Sequence, residues 1–187
     1  MNRIIFISGT PGSGKTQLSN QLARNIVNES DKTVYIIHGD DFHQGFVEPE
    51  NKGDFFINGK ASNEDHWNDI LRFNWSCIID TADRALKQNM DVVIDYVIED
   101  ELPMIKDLAI KNNAELCYIV LTAANDELIR RITIRGDLDM IDRSLFLKER
   151  LEAMNENRGH IIDTSSKSTE EIIESLDLNR YKVKLYE

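Results

Sequence analysis

The strongest chemical signal in the sequence is a run that follows a short apolar segment. It satisfies GxxxxGK[ST] at every position: Gly9, Thr10, Pro11, Gly12, Ser13, Gly14, Lys15 and Thr16. The glycines let the backbone curl with its N–H groups inward, and the N-terminus of a following helix favours negative charge. Lys15 then reaches the β- and γ-phosphates of a nucleotide, and the Thr16 hydroxyl binds Mg²⁺. The run predicts binding of ATP and Mg²⁺; the alternative is a glycine-rich turn that only joins a strand to a helix.

Two adjacent carboxylates follow the second apolar segment, within the stretch HGDDFHQ. In a parallel sheet the carboxyl ends of the strands open onto the ligand crevice, so we expect Asp40 near the phosphates. There Asp40 can accept the proton of a hydroxyl group, while Asp41 orients the substrate or holds water on Mg²⁺. His43 is a candidate substrate contact. The alternative for the two aspartates is a helix cap or a solvated turn.

A third carboxylate, Asp95, ends the apolar segment Asp91–Asp95 at the same predicted edge. It lacks the adjacent second acid that is typical of many ATP hydrolases. We therefore interpret Asp95 as a residue that holds Mg²⁺ or the substrate and not as half of a hydrolytic pair. The alternative is a strand-end aspartate whose hydrogen bonds are satisfied by its neighbours.

A cluster of arginines follows the fourth apolar segment. Arg131 and Arg135 are four residues apart, on one face of a predicted helix, and Arg143 follows a short acidic stretch. Fixed guanidinium groups offset the charge on the oxygens of a phosphoryl group in transfer. The pattern predicts Arg131 and Arg135 as catalytic, Arg143 as nucleotide-binding, and a lid near residues 136–143. An ordinary exposed helix face with ion pairs is the alternative.

A turn near the end of the chain is a candidate for contact with the nucleotide base. His160–Ser165 combines a predicted strand with small polar residues, and Thr164 is expected to face the adenine. Ordinary connections between a strand and a helix have the same composition, so both interpretations stay open.

The elements that position these residues follow from an alternation along the chain. Apolar, β-branched runs are separated by stretches with helical spacing, and the runs are Arg3–Ser8, Thr33–His38, Asp91–Asp95, Glu115–Thr122 and Gly159–Ile162. Runs that are apolar on both faces suit parallel strands covered by helices. The order predicts an α/β fold with a doubly wound parallel sheet and helices on both faces.

Three shorter signals concern helix starts and the end of the chain. Ser62 with Asp65, and Ser168 with Glu171, predict capped helix starts. The first of these helices carries an apolar stripe, which is usually core, although its tryptophan Trp67 could line a pocket. The tail at 181–186 alternates weakly and is a candidate edge strand.

Length and composition fit one domain, residues 1–187, with 41% hydrophobic and 29% charged residues. The segment 41–61 has no clear period, and a loop of this length is usually functional, so we expect a substrate-binding insertion there. The apolar runs are too short to span a membrane, and we expect a cytoplasmic protein. Cys77 and Cys117 are isolated, so we expect both in the core.

The balance of charge bears on possible partners. Lys and Arg number 22 and Asp and Glu 33, which gives a formal net charge of -11. The averaged field repels phosphate backbones, so we expect a small-molecule acceptor and not nucleic acid as the partner.

Taken together, the motifs resemble those of small P-loop kinases of the nucleotide-kinase-like superfamily. Similar groups are the AAA-type small-molecule kinases, including the chloramphenicol-phosphotransferase, gluconate-kinase-like and polynucleotide-kinase groups. The resemblance covers essentially the whole chain. It implies a five-stranded parallel sheet with the third strand beside the first, Asp40 as catalytic base, and Arg131 and Arg135 as lid arginines. It also favours Asp40 over Asp41, because those families place the base at the first residue of the pair.

The stretches HGDDFHQ and ELIRRITIRG are similar in order and spacing to the kinase domain of 5′-hydroxyl polynucleotide kinases. Those enzymes carry a basic residue soon after the paired aspartates, where this chain has His43. The predicted lid is also acidic, at Asp137, Asp139 and Asp142. Both departures argue against a polyanionic acceptor.

The sequence therefore favours a kinase that uses ATP and Mg²⁺ and phosphorylates a hydroxyl of a neutral or weakly charged small molecule. Three alternatives stay open. They are a 5′-hydroxyl polynucleotide kinase, a non-catalytic ATP-binding switch whose segment 41–61 moves, and a slow ATPase that drives a partner. No pattern in the sequence specifies the acceptor or the oligomeric state.

Overall fold

A five-stranded parallel sheet is the centre of the fold. The computed structural model describes residues 1–47 and 56–185. Its strands are β1 (Arg3–Gly9), β2 (Val34–His38), β3 (Phe56–Ile57), β4 (Lys60–Ala61), β5 (Asp91–Asp95), β6 (Glu115–Thr122) and β7 (Ile161–Asp163). The sheet has the order β2-β5-β1-β6-β7 with every neighbouring pair parallel, whereas β3 and β4 form an antiparallel hairpin. The placement of β5 beside β1 confirms the strand order that the resemblance implied.

Helices connect the strands and cover both faces of the sheet. They are α1 (Lys15–Glu29), α2 (Gly39–His43), α3 (Glu64–Lys87), α4 (Leu102–Lys111), α5 (Asn125–Arg135), α6 (Ile141–Ala153) and α7 (Thr169–Ser175). Helices α1 and α7 pack on one face, and α3, α4 and α6 contribute to the core on the other. The doubly wound α/β architecture is therefore confirmed.

The alternation of side chains along each strand builds two hydrophobic cores. Ile4 and Phe6 of β1 face the core with α3 and α4, while Ile5 and Ile7 face the core with α1 and α7. All four are fully buried. Successive side chains of a strand point to opposite faces, so an uninterrupted apolar run is what a strand covered on both sides requires.

Details at the helix ends differ from the predictions by small amounts. Asn63, and not Ser62, caps α3, because its side chain accepts a hydrogen bond from the backbone N–H of His66 at 3.2 Å. Both residues are good caps, and the composition of the stretch does not distinguish them. The predicted box of Ser168 and Glu171 is confirmed at the start of α7.

The prediction of an edge strand at 181–186 was wrong for the residues that the structure describes. A short 3-10 helix, Leu178–Tyr181, occupies its start, and one antiparallel bridge joins Lys182 to Cys117. Residue 186 lies outside the described residues. Cys117 is buried, as expected, whereas Cys77 is only half-buried.

The segment 41–61 contains more regular structure than the sequence suggested. Its start belongs to α2, and its end is the hairpin of β3 and β4; residues 48–55 lie outside the described residues. Between the strands, Asn58 and Gly59 have φ angles of +50° and +76°, as a type I′ hairpin turn requires. No helix in the ranges 1–47 and 56–185 is long and apolar enough to cross a membrane.

Candidate functional site

The loop that joins β1 to α1 has the backbone conformation of an anion nest. Gly9, Gly12 and Gly14 have φ angles of +146°, +80° and +96°, which side chains rarely adopt. A Cβ on Gly9 would lie 2.4 Å from the carbonyl oxygen of Leu121, so the loop also requires glycine for its close approach to β6. Because α1 starts directly after Gly14, its free N–H groups point into the loop. The loop is therefore shaped for phosphate groups.

Lys15 is a buried cation with few partners. It is 8% exposed, and its Nζ donates to the carbonyl oxygen of Thr10 at 3.1 Å. Burial lowers the pKa of Lys15, an effect that the charges of Asp40 and Asp95 oppose. The hydroxyl oxygens of Thr10 and Ser13 are also buried and have no hydrogen-bond partner among the residues that the structure describes. Phosphate oxygens would satisfy these groups, so the loop fits a nucleotide.

Thr16 lies beside the end of β5 and forms a candidate magnesium site with Asp95. Its hydroxyl donates to Oδ1 of Asp95 at 3.2 Å, and Asp95 is 2% exposed. A hydroxyl that donates its proton keeps its lone pairs for a cation, and Mg²⁺ prefers oxygen ligands. No group of three His, Cys, Asp or Glu side chains that could hold a metal ion occurs in the described ranges. The residues therefore fit a Mg²⁺ ion that arrives with nucleotide phosphates.

The two adjacent carboxylates occupy the first turn of α2, and both are exposed. Asp40 lines the cleft that contains the phosphate loop, and its charge acts on Lys15 and on Tyr96. Asp41 is not among the described residues that line this cleft. The structure therefore distinguishes Asp40, which lines the cleft, from Asp41, which does not, whereas sequence position alone did not distinguish them.

Arg131 and Thr164 meet beside the phosphate loop. The Nη1 group of Arg131 donates to the hydroxyl of Thr164 at 3.0 Å and to the carbonyl oxygen of Gly12 at 3.3 Å, and Nη2 donates to the carbonyl oxygen of Thr164 at 2.7 Å. Its Nε donates to Glu127 at 2.6 Å. Thr164 is 2% exposed, and its hydroxyl lies 3.2 Å from the carbonyl oxygen of Ser13. In this arrangement Arg131 holds the loop to the turn at Thr164.

Arg135 has a different environment, although it follows on the same helix face. It is the last residue of α5, its side chain is half-exposed, and it forms an ion pair with Asp137. It lines the cleft, and its positive charge contributes to the lowered pKa of Lys15. After Gly136 the 3-10 helix Leu138–Met140 leads into α6. Arg135 therefore lies where positive charge can act on a group bound at Lys15.

Arg143 is buried and connects the hairpin to the cleft wall. Its Nη1 group donates to the carbonyl oxygen of Gly59 at 3.0 Å, and Nη2 pairs with Glu99. The centre of its guanidinium lies 4.7 Å from the centroid of the Phe56 ring. The side chain that was predicted to bind nucleotide thus lies between the hairpin and Glu99, on the wall of the same cleft.

These residues border one open cleft with a volume of about 1840 Å³. A pocket for one small ligand commonly has ~300–1,000 Å³. The phosphate loop and Thr164 form one end, and a second end is lined by His43, Phe56, Trp67, Tyr96 and Glu99. The ring centroids of His43 and Phe56 lie 5.6 Å and 5.0 Å from that of Trp67. The cleft therefore has space for a nucleotide and a second molecule.

Sequence reasoning did not identify the hairpin or Glu99. The dipeptide Asn58-Gly59 is a turn signal that would have predicted the hairpin. A Cβ on Gly59 would lie 2.5 Å from a backbone carbonyl oxygen of α6, so the turn packs directly on that helix. Glu99 has no local signal, because its partners Arg143 and Arg150 reach it from α6.

A comparison with known protein families finds a match over most of the chain. A family model described as an AAA domain matches residues 5–174, which include the phosphate loop, Asp40, Asp95 and the three arginines. No curated protein sequence matches the chain at a significant level.

Solved structures of kinases share the fold. A sugar kinase from Janibacter sp. HTCC2649 superposes with a TM-score of 0.59 and 20% identity, over 93% of this chain and 91% of that chain. A gluconokinase from Sinorhizobium meliloti 1021 superposes with a TM-score of 0.56 and 19% identity, over 92% of this chain and 87% of that chain. A chain of the Pnkp1/Rnl/Hen1 RNA repair complex superposes with a TM-score of 0.51 and 18% identity, over 82% of this chain and 46% of that chain. At these identities the similarity establishes the fold alone. The family match over most of its length shows that the chain belongs to the AAA-domain family, and its phosphate-binding loop and parallel sheet agree with that assignment.

Proposed function

We propose that the protein is a kinase that transfers the γ-phosphoryl group of ATP to a hydroxyl group of a small molecule. The observation that carries this proposal is the position of Asp40 and Lys15 on one cleft large enough for two ligands. A nucleotide-binding protein without transfer activity has no need of a second ligand site or of a carboxylate facing it. The family adds support, since P-loop kinases use a nucleotide substrate.

Each residue has a distinct task in this reaction. Lys15 and the N-terminus of α1 bind the phosphates, and Thr16 with Asp95 would hold Mg²⁺. When bound, Mg²⁺ neutralises charge on the phosphate oxygens. Asp40 accepts the hydroxyl proton as the acceptor oxygen bonds to the γ-phosphorus and ADP leaves. Arg135 supplies positive charge to the phosphoryl group in transfer.

The second end of the cleft supports an acceptor without phosphate groups. The charge of Arg143 is paired with Glu99, and a further carboxylate, Glu101, lines the same end. Aromatic rings provide the remaining wall. Such a site favours a neutral or cationic molecule over an anion. We propose that segment 41–61 binds this acceptor and that the lid near residues 136–143 closes over the nucleotide, with the buried Arg143 as its fixed end.

The second candidate acceptor is the 5′-hydroxyl of a polynucleotide. The order of HGDDFHQ and ELIRRITIRG along the chain supports it, and the fold is shared with a chain of an RNA repair complex. The net charge of -11 opposes it, because each phosphate of the acceptor adds repulsion.

A screen with ATP labelled at the γ-phosphate tests the proposal. The acceptors are nucleosides, sugars, sugar acids, aminoglycosides, chloramphenicol and 5′-hydroxyl oligonucleotides, and the Asp40→Asn variant controls for contaminating kinases. Label in a small molecule, lost in the variant, supports the proposal. Label in oligonucleotides alone establishes the second candidate. Nucleotide binding without labelling indicates a switch, and phosphate release without an acceptor indicates an ATPase; either result overturns the proposal.

A further inference from the structure

Asp95 is held by side chains from two other elements, one of which is the neighbouring strand β2. His38 and Asp95 are paired in the register of β2 and β5, and each is the last residue of its strand. Paired residues of adjacent strands direct their side chains to the same face of the sheet. The Nδ1 atom of His38 lies 2.5 Å from Oδ2 of Asp95. A carboxylate accepts hydrogen bonds, so the ring nitrogen is the donor.

The second side chain comes from α1, one turn beyond the phosphate loop. Ser19 is fully buried, and its Oγ lies 2.5 Å from Oδ2 of Asp95 and 3.0 Å from the carbonyl oxygen of Thr16. A hydroxyl has one proton to donate. The shorter distance and the charge of the carboxylate both direct that proton to Asp95.

These two hydrogen bonds determine how the carboxylate is oriented. The torsion of a carboxylate about its Cβ–Cγ bond is soft and has no narrow minimum of its own. Because His38 and Ser19 both contact Oδ2, rotation is blocked and Oδ1 faces the hydroxyl of Thr16 at 3.2 Å. Oδ1 is therefore the oxygen presented to a cation, or to its bound water, beside the phosphate loop.

We infer that His38 and Ser19 are positioning residues that orient Asp95 so that Mg²⁺ binds together with the nucleotide. The inference rests on the proposed function in one respect, the binding of a magnesium nucleotide. Residues that orient a metal-binding carboxylate commonly change metal affinity or activity by about 10–100-fold when they are replaced. If the two hydrogen bonds only stabilised the fold, their loss would lower the melting temperature and leave the Mg²⁺ requirement unchanged.

The test measures binding of the β,γ-imido analogue of ATP by calorimetry, first in EDTA and then at increasing Mg²⁺. We expect His38→Leu and Ser19→Ala to raise the Mg²⁺ concentration for half-maximal tightening by about 10-fold or more. Affinity in EDTA should stay within about twofold, since neither side chain binds an N–H group of the phosphate loop: Ser19 reaches only the carbonyl oxygen of Thr16, which cannot donate to a phosphate. His38→Asn should require nearly the same Mg²⁺ concentration as the unchanged protein, because its amide nitrogen takes the place of Nδ1.

A second histidine provides the matched control. His160 is half-buried, and its Nδ1 lies 2.8 Å from the carbonyl oxygen of Tyr118, away from the phosphate loop. His160→Leu should lower the melting temperature and leave the Mg²⁺ dependence unchanged. The inference is overturned if Ser19→Ala and the folded His38 variants show the Mg²⁺ dependence of the unchanged protein. It is also overturned if His38→Asn and His38→Leu raise the required Mg²⁺ concentration by the same factor.

The same experiment separates this inference from the proposed function. Should the unchanged protein fail to bind the analogue with or without Mg²⁺, the proposed function fails. Should it bind the analogue with an affinity that Mg²⁺ does not alter, the assignment of Asp95, His38 and Ser19 fails and nucleotide binding stands. If His38→Leu does not fold, Ser19→Ala still decides the outcome.

Discussion

The backbone of Gly39 lies directly against the ring of Tyr96. A Cβ on Gly39 would lie 2.4 Å from Cγ and Cδ2 of that ring, a distance that real Cβ atoms do not show. Tyr96 is 4% exposed, and its hydroxyl accepts a hydrogen bond from Asn74 at 3.0 Å. The ring is held by this hydrogen bond and by an edge contact with Trp75, so its contact with Gly39 restricts where α2 can begin. It thereby restricts the position of Asp40, the next residue.

We predict that Gly39→Ala lowers kcat by about 10-fold or more, because a shift of roughly 1 Å in a reacting group costs up to 10²-fold. The KM for ATP should change less than threefold, since the phosphate loop is not displaced. Steady-state kinetics with the identified acceptor provides the measurement. Tyr118→Phe is the control, because it removes a buried hydrogen bond to Asn157 of 2.8 Å without altering α2.

A double variant tests the cause of this effect. Tyr96→Gly removes Cβ, Cγ and Cδ2, the three atoms that the added methyl group would meet within 2.6 Å, so Gly39→Ala should cost less in that background than in the unchanged protein. Equal losses in both backgrounds would show that the contact with Tyr96 does not position α2.

The next prediction distinguishes the two adjacent carboxylates. Asp40→Asn keeps the shape of the side chain and removes its ability to accept a proton, so kcat should fall by about 10²–10⁴-fold. Asp41→Asn should lower kcat by less than about 10-fold, because Asp41 is not among the described residues of the cleft wall. Nucleotide affinity, measured by calorimetry, should stay within a few-fold in both. A collapse in Asp41→Asn alone would move the base by one residue and leave the kinase proposal intact.

Local signals in the sequence were sufficient for most of the fold. The run Glu115–Thr122 was predicted as a strand and is β6 with the same bounds, and Arg3–Ser8 differs from β1 by one residue. Strands buried on both faces are continuous apolar runs, which stand out against helical spacing. The order of the strands has no local signal, since it depends on pairing between distant segments. It came from the resemblance to a family.

The candidate site was predictable only where its residues are contiguous. The phosphate loop is one such stretch, and its eight residues are recognisable without a structure. Asp95 could be placed at the sheet edge, but its contact with His38 joins residues 57 positions apart, and that of Arg143 with Glu99 joins residues 44 apart. Contacts at such separations depend on sheet register and helix packing, which single-sequence patterns do not specify.

Arg131 and Arg135 of α5 should differ in their kinetic effects. Arg135 lines the cleft and its charge acts on Lys15, so Arg135→Ala should lower kcat strongly and the KM for ATP weakly. Arg131 hydrogen-bonds the phosphate loop and Thr164, so Arg131→Ala should weaken nucleotide binding and lower the melting temperature. Arg72, exposed on α3 and paired with Asp69, serves as the matched substitution for loss of charge, because it is not among the described residues that line the cleft. Identical kinetic profiles for Arg131→Ala and Arg135→Ala would contradict this division.

The last prediction concerns the stability cost of the lysine in the phosphate loop. Burial is the largest cause of the lowered pKa of Lys15, so the folded protein binds that proton less tightly than the unfolded chain, whose lysine has a pKa of 10.5. Below the lowered pKa the ammonium is charged in both states and destabilises the folded state by a constant amount. Between the lowered pKa and 10.5 the unfolded chain binds more protons, so stability rises with pH and the cost disappears.

Lys15→Met should therefore raise the melting temperature at pH 7 while abolishing most transfer activity. The gain over the unchanged protein should shrink as the pH approaches 10.5. Thermal unfolding with and without the β,γ-imido analogue of ATP provides a second readout, because a ligand stabilises only the protein that binds it. The analogue should raise the melting temperature of the unchanged protein and of Lys184→Met, an exposed lysine outside the cleft, but not that of Lys15→Met. A Lys15→Met variant that is less stable at pH 7, yet still stabilised by the analogue, would show that Lys15 serves the fold and not the nucleotide.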